Sequence, residues 1–412
     1  MTQQSVAISA PSGGAPPRPS LFENGLAGFF RNREVRGVLY QVITIAILFA
    51  SFAWMGNNVV NNLSALGKDF SFAFLGDPAN YDINQRPIPY TSQSTNARAM
   101  AVGIINTALV AALGIVLTTI MGLFVAIARL SPNWLLSRIA YVYIEYVRNV
   151  PVLLHILLVY GVVINVFPDP RGGGSWVSFF DVAFLSNRGL AIPKPIPHQG
   201  FEWVVVAFVV ACVAAYVIRR RARRRQTLTG EQTMVFLPSL ALIVGLPLVA
   251  VLVLNDAVNL EIPEIGRFNV RGGLILKPEY FALTLSLSLY TSAFVAEVIR
   301  AGILSVSKGQ KEAAGALGFG RMRALRLIIL PQALRVAIPP MTNQYLNLTK
   351  NSSLAIAIGY QDIVGTIGGI TLNQTGREIE CMILVLSLYL AFSLFISFIL
   401  NIYNRSIALV ER

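Results

Sequence analysis

Eight apolar runs, most of them near 20 residues long, constrain this chain more than any other feature. They lie near 37–61, 100–128, 139–166, 202–218, 235–254, 279–300, 333–360 and 381–403. A helix of about 20 apolar residues spans the hydrocarbon of a bilayer, and spanning segments must pair their own backbone amides. Only 13% of the 412 residues are charged and 55% are hydrophobic, against about 25% charged in a soluble domain. The sequence therefore predicts an all-α, polytopic transmembrane helical bundle of about eight spans. Residues 1–36 are rich in Ser, Gly and Pro and carry Arg18, Arg31, Arg33 and Arg36. The first apolar run starts late and is too long for a cleavable signal, and 1–20 read as disordered on composition.

Charge sets the expected orientation. The segment before the first span has four arginines against Glu23. The loop after the second has Arg129 and Arg138, and the loop after the fourth has Arg219, Arg220, Arg221, Arg223, Arg224 and Arg225. The loop after the sixth has Lys308, Lys311, Arg321, Arg323 and Arg326, and the tail has Arg405 and Arg412. The intervening loops are mixed, as with Asp256, Glu261 and Glu264 against Arg267, Arg271 and Lys277. Basic loops stay cytoplasmic, so this alternation predicts eight spans with both termini in the cytoplasm. The net charge of +13 then reports topology and headgroup anchoring rather than nucleic acid. Cys212, Cys381, His155 and His198 have no metal-ligand spacing and form no disulfide framework.

One cytoplasmic loop carries a dense motif. Glu312, Ala313 and Ala314 are followed by Gly318, then by Ile328, Leu330 and Pro331. Gln310 to Leu317 reads as a short helix that its alanines keep slim enough for a partner's groove. Glu312 falls in the first turn, where the helix dipole favours an acid. Gly318 and Gly320 break the helix. Met322, Leu325, Ile328 and Ile329 with three arginines predict an interfacial amphipathic stretch, ended by Pro331.

This EAA-x3-G-x9-I-x-L-P pattern resembles the coupling loop of ABC importer permeases. Four further segments are similar to the polar amino acid class of that family: 126–131, 145–153 with Glu145, Arg148, Asn149 and Pro151, 293–303 with Glu297 and Arg300, and 349–354 with Lys350. Departures are Asn149-Val150 for the usual Gly-Thr, Phe294 for tyrosine, and Ser352 for threonine. The resemblance covers 100–166 and 279–403. It implies a type I importer permease core of five helices, here with three extra at 37–61, 202–218 and 235–254, as in long-form permeases of general and acidic-amino-acid importers. The implied organisation is a cytoplasmic segment 1–36, an extra helix and periplasmic loop 37–99, a permease domain 100–403 with helices inserted at about 202–254 and a coupling loop at 304–331, and a tail 404–412. The implied partners are a second, paralogous permease, two copies of an ABC ATPase and a periplasmic amino-acid-binding protein. The chain has no G-x-x-x-x-G-K-[ST], so it holds no cofactor, and ATP and magnesium belong to the partner ATPase.

An amino acid presents an ammonium and a carboxylate, and a path for it needs polar groups in an apolar wall. The polar residues within spans are Tyr290, Ser292 and Glu297, then Asn343, Asn347, Lys350, Asn351, Ser352 and Ser353, with Arg148 and Asn149 at the end of another. Glu145–Arg148 and Glu297–Arg300 also have the i,i+3 spacing of structural ion pairs. The predicted function is the membrane subunit of an ATP-driven L-amino acid importer in the bacterial inner membrane, not itself an enzyme. Alternatives are a permease for another small solute, such as an opine, and an ion-coupled secondary transporter.

Overall fold

The computed structural model describes residues 33–407, apart from 66, 68, 170–176, 231–234, 256 and 267–269. The disorder expected for 1–20, and the positions of Arg18, Arg31, Asp256, Arg267 and Arg412, lie outside the described residues. The chain falls into two units, one ending at Phe72 and one beginning at Ala73. In the first, α1 (Arg33–Ala65) is a 33-residue helix that leaves Phe49, Phe52 and Trp54 largely exposed. Apolar side chains all round a helix of this length suit lipid.

The second unit is built on α2 (Asn96–Arg129) and α7 (Pro278–Ser305). Around them lie α3 (Trp134–Asn149), α4 (Val152–Val166), α5 (Phe201–Thr229), α6 (Phe236–Val253), α8 (Lys308–Ala316), α9 (Arg321–Ala324), α10 (Leu330–Asn351), α11 (Leu372–Thr375) and α12 (Glu378–Ile407). Among the described residues, six helices are long and apolar enough to cross a membrane, the bent α3–α4 pair makes a seventh, and α6 is a shorter apolar helix. These eight segments correspond to the eight expected.

α7 is hydroxyl-rich yet buried. Ser286 donates to Ala282 O at 2.6 Å, Ser288 to Thr284 O at 2.6 Å and Ser292 to Leu289 O at 2.8 Å. Each of these three serine hydroxyls is thus satisfied within its own helix, which lets it sit among apolar neighbours. α2 meets it closely at Gly122, where a Cβ would lie 2.7 Å from Val295 Cγ1 and 3.2 Å from Ser292 O. A second close approach joins α7 to α10: a Cβ on Gly302 would lie 2.7 Å from Ala333 O. Tyr143 of α3 donates to Leu289 O at 2.8 Å.

Three expectations are corrected. The run 139–166 is not one straight span: α3 and α4 meet at a 109° bend, because Pro151 cannot continue the α3 ladder and instead starts α4. Pro331 does not end the interfacial stretch. A π-helical turn, Leu325–Ile329, carries the chain into α10 with Leu330 N bonded to Leu325 O, and Pro331 falls in the first turn of α10. The widened turn before it accommodates a proline that has no N–H to donate to the preceding turn. The seventh span accordingly runs from Met322 to Ile358, beginning well before 333. Finally, the arginine run after the fourth span is not a loop. α5 continues through it to Thr229, since arginine is a good helix former.

The loops at 167–200 and 254–277 hold strands that the sequence reading did not contain. β1 (Val177–Phe179), β2 (Ala183–Ser186), β3 (Gly189–Ile192) and β8 (Leu274–Leu276) form an antiparallel sheet in that order. β4 (Lys194–Pro197) pairs with β5 (Val258–Glu261), and β6 (Glu264–Ile265) with β7 (Val270–Arg271). Lys194 stands opposite Glu261, a favourable cross-strand pair. β8 leads through Lys277 and Pro278 directly into α7.

At the same end, a polar knot ties four segments together. Asp362, fully buried, accepts from Tyr389 Oη of α12 at 2.8 Å and from Gly365 N at 2.8 Å. Thr107 Oγ1 of α2 accepts from Ile363 N at 3.2 Å, and Asn106 Nδ2 donates to Gln361 O at 2.9 Å and Gln85 O at 3.0 Å. Outside the spans, Tyr90 donates to Tyr81 O at 2.8 Å. Burial first, then the neighbouring Tyr81 and Asp82, pushes its phenol up to about 12, so it remains a donor at any physiological pH.

Two substitutions test these contacts. Gly122→Leu should lower the thermal midpoint of the purified chain by forcing α2 from α7, a loss of about 1–3 kcal/mol. Tyr389→Phe should also lower it, by about 1–3 kcal/mol, because a buried carboxylate loses a donor. Ser387→Ala, on an exposed face of the same helix, should leave it unchanged. Equal midpoints for all three would contradict this packing.

Candidate coupling and path sites

The coupling segment is α8 with the turn that follows it. Ser307 starts the helix, and Gln310 N bonds to Ser307 O at 3.2 Å. The helix ends in a Schellman arrangement: Gly318 N reaches Gly315 O and Phe319 N reaches Ala314 O, both at 3.0 Å. Gly318 has φ +73°, which is why a glycine stands there. Ala314 is buried, whereas Glu312, Ala313 and Gly318 are exposed. Leu317 and Met322 are 76% and 74% exposed. The helix buries Ala314, takes a 3.5 Å hydrogen bond at Gln310 Oε1 from Gln332 of α10, and turns Glu312 outward, with Leu317 and Met322 exposed just after it. Ile328 is half-buried and Leu330 and Pro331 exposed; they belong to the re-registered entry of α10 rather than to the outward face of α8.

On α10 the residues divide cleanly by face. Ala333, Ala337, Met341, Tyr345 and Leu348 are buried against α7 and α2, and Tyr345 Oη lies 2.8 Å from Thr119 Oγ1. Val336, Pro340, Asn343, Asn347 and Lys350 are exposed. Their spacing of 4, 3, 4 and 3 puts them on one stripe. Two amides and an ammonium on the outside of a span do not suit lipid.

The remaining residues separate from this stripe. Ser352 is buried, donates to Thr349 O at 2.8 Å and lies 3.4 Å from Tyr389 Oη, so it belongs to the Asp362 knot. Ser353 donates to Lys350 O at 2.8 Å, and Asn351 ends α10. Glu297 takes a forked contact from Arg300, with Nε at 3.1 and 3.0 Å and an ion-pair distance of 2.9 Å. The expected Glu145–Arg148 pair is not made among the described residues. The Arg148 guanidinium instead lies 5.5 Å from the centre of the Phe294 ring. Asn149 Nδ2 instead donates to Glu145 O at 2.7 Å.

At the α3–α4 bend Arg148 and Tyr290 join a cluster that sequence reasoning missed. Tyr290 lies 5.1 Å from Phe294 and 5.6 Å from His155, which lies 5.8 Å from Tyr146. His155 is buried, and its Nδ1 is 3.2 Å from Pro151 O, at the first turn of α4. Ser292 is buried 2.8 Å from Tyr143 Oη, a contact between helices rather than an open group. The signal for His155 was its place four residues after the proline of the break. The signal for Asp362 was a lone acid in the apolar stretch 354–372.

The family model described as binding-protein-dependent transport system inner membrane component matches residues 204–409, from α5 to the end of α12. The chain is 47% identical over 383 residues to the putative amino-acid ABC transporter permease protein YhdX of Escherichia coli K12, covering 93% of this chain and 97% of that one. It is 46% identical over 379 residues to the general L-amino acid transport system permease protein AapQ of Rhizobium johnstonii, covering 92% and 94%. The glutamate/glutamine/aspartate/asparagine transport system permease protein BztB of Rhodobacter capsulatus is 42% identical over 407 residues, covering 92% and 95%. A crystal structure of an amino acid ABC transporter with histidines aligns with a TM-score of 0.44 at 20% identity, covering 75% of this chain and 94% of that chain. The sequence relatives, not that alignment, carry the conclusion. The chain belongs to the family of inner-membrane components of binding-protein-dependent transport systems, and is a multi-pass permease subunit that is not itself catalytic.

Proposed function

We propose that this chain is the translocating subunit of an ATP-driven importer for L-amino acids, polar or broad in range, coupled to a separate ATPase through α8. The observation that carries the coupling reading is the exposure of Glu312, Leu317 and Met322 on and just after a slim helix whose one buried residue, among those described, is Ala314. Such a helix fits a cleft on a partner. Supporting the amino acid reading are the names of relatives that match nearly the whole chain. The polar stripe of α10 supports a path through the bundle, with Lys350 toward the substrate carboxylate. The break cluster of Arg148, Tyr290 and His155 serves as a second polar station. In this reading both termini are cytoplasmic, which the alternation of arginine-rich segments between the spans supports. The assembly pairs this chain with a paralogous permease, two ATPase copies and a periplasmic binding protein. ATP and magnesium act on the ATPase, whose closure drives rigid-body alternating access here.

The test is uptake of labelled amino acids into proteoliposomes holding the copurified complex. Uptake should require ATP and fall at least tenfold with Glu312→Lys, while the complex still purifies intact. Uptake driven by an ion gradient, indifferent to ATP and to Glu312, would replace this reading with a secondary transporter.

A further inference from the structure

The corner between α2 and α3 holds two arginines that transport, as proposed above, does not use. From Leu109 to Ile127 α2 carries no charge, and Leu109, Val116, Phe124 and Ile127 are exposed. At 1.5 Å per residue this stretch is about 27 Å long, close to the hydrocarbon thickness. Arg129, at the end of the helix, therefore reaches headgroup depth. α3 then starts at Trp134, which is largely exposed beside Leu135 and Leu136. An exposed tryptophan among apolar residues suits the bilayer interface. The corner thus leaves the hydrocarbon at Arg129 and returns to it from Trp134 onward.

A pocket of about 380 Å3 opens in this corner, lined by Arg129 and Ser131 on one side and by Trp134, Ser137, Arg138 and Tyr141 of α3 on the other. The four on α3 follow the i, i+3, i+4, i+7 pattern of one helix face. The guanidiniums of Arg129 and Arg138 meet at one ring, 4.9 and 5.2 Å from the centre of Tyr141. Ser137 fixes the first of them. Its Oγ accepts from Arg129 Nη1 and donates to Arg129 O, both at 3.0 Å. Arg129 Nε is buried without a partner, so most of the five donors of this guanidinium are unspent. Ser131 Oγ accepts from Asn133 N at 3.2 Å, which leaves its own proton free to donate.

Topology anchoring explains two arginines at a membrane surface, but not their meeting at one ring. Like charges held there repel, and the local sequence supplies nothing to offset them. Neither α2 nor 130–133 contains an acid. The one acid of α3, Glu145, lies two turns beyond Arg138 and takes Asn149 Nδ2 at 3.4 Å. Among the described residues neither Arg129 nor Arg138 makes an ion pair.

We propose that this corner is a phosphate site at the membrane surface, taken by the headgroup of an anionic glycerophospholipid. The phosphate oxygens accept from the free donors of Arg129 and Arg138 and from Ser131, while Tyr141 holds the guanidinium planes. The acyl chains run past Trp134 along the exposed apolar face of α2. A headgroup with a full negative charge offsets the two cations, whereas a choline headgroup brings a third cation beside them.

The test is native mass spectrometry of the full chain in detergent, titrated with phosphatidylglycerol, with phosphatidylcholine as the zwitterionic reference. The unaltered chain should retain phosphatidylglycerol at least about fivefold better, and R129Q/R138Q should weaken that retention at least about tenfold. R129K/R138K keeps both charges but loses the planar donors, and should weaken it at least about threefold. Ser137→Ala also keeps both charges and should weaken it about threefold by releasing Arg129, so the test survives a double variant that does not fold. R219Q/R220Q, at another basic segment, should leave retention within about twofold. Unchanged retention by the lysine pair and by Ser137→Ala, or an equal loss with R219Q/R220Q, would reduce the corner to part of a general basic surface. Displacement of the lipid by millimolar inorganic phosphate would make it a free-anion site and overturn the assignment to lipid.

Discussion

Everything in the second unit depends on the contact between α2 and α7. Membrane helices gain little from hiding apolar surface in an apolar solvent, so close packing and satisfied polar groups must hold them together. α7 meets both needs with Ser286, Ser288 and Ser292, each hydroxyl bonded to its own backbone. α2 answers with Gly122, whose missing Cβ lets Val295 and Ser292 approach. α7 thereby becomes a fixed axis with the sheet at one end, through β8 and Lys277, and α8 at the other, through Ser305 to Ser307. A movement imposed on α8 acts on a helix already wedged among α2, α3, α4 and α10.

α10 combines this rigidity with an open polar face. One face is consumed by packing, through Ala333, Ala337, Met341 and Tyr345. The opposite face carries Asn343, Asn347 and Lys350, still exposed. The π-turn at Leu325–Ile329 admits Pro331 without a break. The short approach from α8 and the span itself are therefore joined by continuous helix, which suits transmission of a push from α8.

The spans and their order were legible because they rest on composition over many residues. Apolar runs of bilayer length need no tertiary information, and the glycine of the α8 turn follows from φ alone. What escaped was local. The bend at Pro151 lies inside an apolar run that is long enough to hide it, and the strands of two to four residues are too short for alternation to register. Arg148 could be assigned to Glu145 by spacing, yet α7 brings it the Phe294 ring instead. Ser352 looked like a path residue by its neighbours Lys350 and Asn351, but the three-ten turn after α10 rolls it inward toward Tyr389. Asp362 and His155 were readable as isolated polar residues in apolar stretches, but their partners come from distant segments that only the fold brings near.

The central claim is that the exposed stripe of α10 faces an aqueous path in the assembled transporter. Cysteines placed one at a time at Asn343, Asn347 and Lys350, in a chain with Cys212 and Cys381 replaced by serine, test it directly. A membrane-impermeant thiol reagent should modify all three in the intact complex, more slowly when a transported amino acid is present. A cysteine at Leu390, 60% exposed on an apolar face, should stay unmodified. Stripe positions that react no faster than Leu390, with or without substrate, would contradict the account and turn that face toward lipid or a sealed subunit contact.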